Sequence, residues 1–143
     1  PYHYWRQIAV IDAQGRTAHF HGARVKPAHN HAHAPNGVAI GNILANDRVP
    51  AAMAAAFAAD DSLPLAERLL RGLEAGEVAG GEHGDVHSAS LLVVERESFP
   101  LVDLRVDWHD APIPHLRLLW EAYAPTAADY VIRAVDPDRA VVL

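Results

Sequence analysis

Apolar and polar positions alternate along this chain in blocks, first with the period of strands, then with that of helices. Arg6 to Ile11 is apolar and β-rich, Asp12-Ala13-Gln14-Gly15-Arg16 is turn chemistry, and Thr17 to Gly22 returns, so the segment predicts a β-hairpin. Its first strand is apolar on both faces, Ile8 and Val10 on one and Ala9 and Ile11 on the other, which predicts cover on both sides. Ala23 to Asn36, rich in proline and histidine, predicts a loop. Gly37 to Leu44 predicts a third strand, with the polar Asn42 in the apolar row of Val38, Ile40 and Leu44.

Helical spacing follows. Val49 to Ala59 is Ala-rich, with Met53 and Phe57 at i, i+4. Asp60-Asp61-Ser62 breaks it, and Pro64 opens a second helix to about Gly76, with Leu65, Leu69, Leu70 and Leu73 in one stripe. Gly76 to Gly84 predicts a loop. Ser88 to Glu95 and Leu101 to Trp108 predict strands, the latter with Val102, Leu104, Val106 and Trp108 opposite Asp103, Arg105 and Asp107. Pro112 to Tyr123 predicts a helix buried through Ile113, Leu116, Trp120 and Tyr123. Thr126 to Asp129 resembles a capping box and opens a last helix to about Val135. Strands and helices in blocks indicate antiparallel sheets against helix layers, an α+β class, and no linker divides residues 1–143, which reads as one domain.

Composition narrows the chemistry. The 143 residues carry a formal net charge of −6, and Lys26 is the only lysine, so nucleic acid is not an expected partner. The absence of cysteine excludes disulfides, thiolate metal sites and a cysteine nucleophile within these residues. No apolar run approaches the roughly 18 residues of a membrane span, so neither a membrane partner nor a location outside the cytoplasm is expected.

Several side chains invite chemistry. Asn42, at a strand end, suits an amide donor to a developing oxyanion, or equally a partner for loop backbone. His29, His31 and His33 alternate, so in extended chain their imidazoles project to one side and could meet one metal; a solvated His-rich loop is the plainer reading. Ser88 and His87 are adjacent in an expected strand and point to opposite faces, so they are not a nucleophile–base pair, although Ser88 could line a site. Arg105, between Asp103 and Asp107, could hold a substrate carboxylate, or belong to a solvated ion-pair row.

Taken in order, Arg6-Gln7-Ile8-Ala9-Val10-Ile11-Asp12-Ala13-Gln14-Gly15-Arg16, Gly41-Asn42-Ile43-Leu44, Leu63-Pro64-Leu65-Ala66-Glu67-Arg68-Leu69-Leu70, Ser88-Ala89 with Leu91-Leu92-Val93-Val94, and Leu101-Val102-Asp103-Leu104-Arg105-Val106-Asp107 resemble the DUF1028 family of bacterial Ntn-hydrolase-like proteins. The family's Arg-Gly-x-Gln-Ser-Ala run departs here to His83-Gly84-Asp85-Val86-His87-Ser88-Ala89. The resemblance implies an Ntn-hydrolase-like sandwich, incomplete in this chain, and hydrolysis of a small linear or cyclic amide without a cofactor. Asn42 is the expected catalytic residue, with His31, His87, Ser88 and Arg105 as expected substrate contacts; the resemblance itself favours His31 among the loop histidines. It also implies that this chain is the C-terminal two-thirds of such a protein. Pro1 has no hydroxyl or thiol and cannot be the N-terminal nucleophile. The expected partner is therefore an N-terminal fragment of the same polypeptide carrying the first strands and the nucleophile. Homo-oligomerisation through Trp120, Tyr123 and Tyr130 is expected too. The alternatives are a non-catalytic binding or accessory member of the fold, or a metal-binding protein using His29, His31 and His33.

Overall fold

The computed structural model describes residues 1–140. Contacts gather them into two compact units, Pro1–Val86 and His87–Leu143. No Pro/Gly-rich linker marks the division, which falls just after the Gly84 turn.

The first unit opens with a 3-10 turn, His3–Trp5, followed by the antiparallel hairpin β1 (Gln7–Ile11) and β2 (Thr17–His21). Asp12 organises the turn between them: its carboxylate accepts from the Gln14 and Arg16 backbone N–H groups and from Arg16 Nε. Gly15 takes the positive φ of 76° that a side chain would resist.

A second hairpin, β3 (Asn30–Ala34) and β4 (Gly37–Gly41), pairs Ala34 with Gly37 across the two-residue turn Pro35-Asn36. The expected loop is thus half strand. Proline presets φ at Pro35 and Asn36 takes φ 56°, the order a type II turn requires. β4 is also shorter than expected. Ile43 adopts φ 55°, a left-handed conformation rare for a β-branched residue, and turns the chain before Leu44 can continue the row. Bonds from His83 N–H to Ile43 O and from Leu44 N–H to Ala28 O hold it there.

The two faces of this second hairpin have different company. Ala32, Ala34, Gly37 and Ala39 are small and lie toward α1 (Val49–Ala58), closely enough that a Cβ on Gly37 would meet the Phe57 ring at 2.7 Å. α1 rests on α2 (Leu65–Val78), whose Gly72 and Gly76 admit Met53 and whose Leu70 is fully buried. The opposite face carries His31, His33, Val38 and Ile40 toward the first hairpin. Cover of β1 on both faces does not hold: Ile8, Val10 and Phe20 stand on an outer face that is half exposed.

In the second unit, β5 (Ala89–Val93) pairs antiparallel with β6 (Val102–Val106). Burial alternates strictly, with Leu91, Val93, Val102 and Val106 inward and Leu92 and Val94 exposed. α3 (Pro112–Tyr123) seals the inward face with Ile113, Leu116 and Trp120. α4 (Ala127–Val135) starts without the expected capping box, because Thr126 Oγ1 donates to Tyr123 O instead. Trp120 is buried, and Tyr123 stacks on Tyr130 and donates to Leu101 O, so of these three aromatics only Tyr130 stands largely open as a surface anchor.

The described sheets are three two-stranded antiparallel ladders, the second resting on α1 and the third on α3, an α+β architecture. No described helix is long and apolar enough to cross a membrane.

Candidate functional site

The polar chemistry of the first unit concentrates between the two hairpins. In β2, His19 and His21 fall on the face shared with Gln7 and Ala9, since Gln7 pairs with His21 and Ala9 with His19. In β3, His31 and His33 project back at them. The His19 and His31 rings stack at 3.1 Å, the His21 and His29 rings at 4.9 Å, and His33 lies edgewise to His31 and tilted against His19. One ring nitrogen from each of His19, His21 and His31 lies within 4.8 Å of the others. The set gathered is therefore not His29, His31 and His33: His29 precedes β3 and stacks behind His21, while the cross-hairpin contact brings in β2. Sequence held the signal as a second alternating pair, His19-x-His21, but not the contact joining the two runs.

Hydrogen bonds tie the cluster at both ends. His19 Nδ1 lies 3.1 Å from His33 Nε2, and His33 Nδ1 lies 2.6 Å from Thr17 Oγ1. At the other end Gln7 Nε2 donates to Gly41 O at 2.7 Å and meets His21 Nδ1 at 3.0 Å, while Asn42 Nδ2 donates to Gln7 Oε1 at 2.9 Å. Asn42 is thus half-buried and held by a side chain just past β4. His21 Nε2 is buried and has no hydrogen-bond partner.

Burial is the first cause lowering the pKa of both His21 and His31; neighbouring imidazoles add to it, His29, His19 and His31 for His21, and His19 and His33 for His31. The folded state therefore binds fewer protons than the unfolded chain, and stability falls as pH drops below the ordinary histidine value of about 6.5. Thermal melts in chelator should show Tm falling across the acid window below about pH 6.5, with the fall diminished in His31→Ala. A Tm independent of pH across that window would mean the imidazoles are not held neutral.

The other candidates lie in the second unit. His87 stacks on Trp108 at 4.3 Å, and its Nδ1 lies 3.9 Å from Asp110 Oδ1 without a hydrogen bond. Ser88 is exposed just before β5. Arg105 is exposed and spans to Asp107 at 3.3 Å. In the first unit, an apolar cavity of about 340 Å³ between Val38, Phe57 and Leu69 has Asn36 as its one polar lining side chain, so it is distinct from the histidine cluster.

These features define a class: an α+β protein of antiparallel hairpins layered on helices, with an imidazole-rich face between two of the hairpins. Residues 1–116 match a family described as "Family of unknown function (DUF1028)", and the chain belongs to that family. The crystal structure of protein SPO2555 from Silicibacter pomeroyi, of the same family, is similar at 36% identity and a TM-score of 0.77 over 89% of this chain. The chain spans about half of that protein, 54%. Because the family match begins at residue 1, it gives no support for placing the chain in the C-terminal two-thirds of a family member. No curated protein matches.

Proposed function

We propose that this protein hydrolyses a small linear or cyclic amide by Ntn-type chemistry, with the nucleophile and the first strands of an Ntn-hydrolase-like sandwich supplied by a further, N-terminal segment. The observation carrying the reading is Asn42. Its side-chain amide is fixed just beyond β4 by Gln7, itself fixed by Gly41 O, which leaves one Asn42 N–H for a ligand. An amide held in this way needs no reorganisation to meet a developing oxyanion. Two further facts support an absent segment: the uncovered apolar face of Ile8, Val10 and Phe20, and a relative of which this chain spans 54%.

A non-catalytic member of the fold is the second reading, favoured by the same hydrogen bond, since an Asn42 that only ties Gln7 to the end of β4 is structural. Asn42→Ala separates them. Under the hydrolase reading the variant melts near wild type and loses roughly 100- to 1,000-fold in kcat on a panel of small amides, the effect of removing one oxyanion donor. A lowered Tm with unchanged turnover per folded molecule would assign Asn42 to the structure alone.

A further inference from the structure

We propose that His19, His21 and His31 form a binding site for a late first-row divalent transition ion of the zinc class, with an open fourth position. The inference goes beyond the hydrolase reading, requires neither its nucleophile nor its substrate, and departs from the expectation of a cofactor-free protein.

Two observations converge. The first is the donor set. One nitrogen from each of three imidazoles lies within 4.8 Å of the others, and no carboxylate or thiolate belongs to the group. Imidazole-only sets suit zinc and its neighbours rather than magnesium or calcium. Zinc–nitrogen bonds near 2.0–2.1 Å in tetrahedral geometry put ligand nitrogens about 3.3 Å apart, so the rings need to close by up to roughly 1.5 Å. Two of the three sit at successive same-face positions of β2 and the third faces them from β3, so side-chain rotation accomplishes this. The His19–His31 stack opens in the process, because a metal lies in the plane of each ring it binds.

The second is the outer hydrogen-bonding. A metal-bound histidine places its other ring N–H on an acceptor. His19 does so if Nδ1–H donates to His33 Nε2 and His33 Nδ1–H donates to Thr17 Oγ1, which leaves the His19 Nε2 lone pair free. At His21 the buried Nε2 has no protein partner and is the atom a metal would satisfy. That demands a proton on Nδ1, and therefore a Gln7 amide turned over to present Oε1 to it, at the expense of the bonds to Gly41 O and from Asn42 Nδ2. His33 and Gln7 are positioning residues in this arrangement, and His29 is a neighbour only.

The test uses untagged protein and Zn²⁺ alone. After loading and dialysis against metal-free buffer, elemental analysis should find one equivalent of zinc per chain. Zinc should raise Tm by about 5 °C or more, reversibly with chelator, and Co²⁺ should give the visible absorption of a low-coordinate site. His19→Ala and His31→Ala should each abolish retention while keeping the circular dichroism spectrum of the metal-free wild type. His33→Ala should weaken binding about tenfold, as loss of an outer hydrogen bond does, and His29→Ala should bind as wild type. No retained zinc in the wild type, or retention undiminished in His19→Ala but lost in His29→Ala, overturns the assignment. Titrations without substrate keep this result separate from the hydrolase reading: Asn42→Ala without turnover but with zinc bound is failure of neither, whereas a zinc-free, active wild type sinks the metal site alone.

Discussion

Gly22→Ala is expected to destabilise the first unit by about 3 kcal/mol or more, at or above the upper end of the usual penalty for overpacking. Gly22 is buried at the end of β2, and its N–H donates to Arg6 O. A Cβ there would stand 2.4 Å from the carbonyl carbon and oxygen of Tyr4 and 2.6 Å from His3 O. Those atoms are backbone, so no side chain can rotate away. The Tyr4 carbonyl also accepts from Arg24 N–H, so relief by moving the 3-10 turn breaks that bond. Because His21 is the next residue, the same displacement should disturb the imidazole face. Urea denaturation measures the first effect; a midpoint within error of wild type would show that the N-terminal turn does not lie against the strand end.

Leu70→Ala should cost about 2–5 kcal/mol, the range for emptying a fully buried leucine site. Leu70 has no exposure, and α2 carries α1, which carries the small-residue face of β3 and β4. Leu65 on the same helix is 47% exposed, so Leu65→Ala should fall within about 1 kcal/mol of wild type, in line with surface substitutions. Equal losses for the two leucines would mean that α2 presents a different face to α1.

Much of this was legible in the residues. The first hairpin follows from Asp12 and Gly15, both helices of the first unit follow from their spacing, and Pro112 to Tyr123 is read correctly to the residue. β3 was hidden because its alternation is between histidine and alanine, not apolar and polar, and because prolines bracket it. Pro35 reads as a loop signal when it is in fact half of a hairpin turn. The end of β4 was illegible for another reason: nothing in Gly41-Asn42-Ile43-Leu44 announces that a β-branched residue will take a positive φ, which tertiary bonds from His83 and Leu44 impose. The outer face of β1 misled by being apolar and yet uncovered within the described residues. At the site, Asn42 and His31 could be chosen from sequence, but their connection through Gln7 and His21 joins four separate strand ends and leaves no local trace.

The Pro35-Asn36 turn has a consequence for how easily this face could be gained or lost. Strand side chains change sides with every residue, and the turn fixes His31 opposite Ile40 and His33 opposite Val38. Inserting or deleting a single residue in that turn, if β4 keeps its place, would send both imidazoles to the side now filled by alanines and glycine against the Phe57 ring. Such a change would silence the imidazole face without altering one of its histidines, and a one-residue change in the opposite sense would restore it. Among related sequences, the length of this hairpin is thus as informative as the identity of the residues it carries.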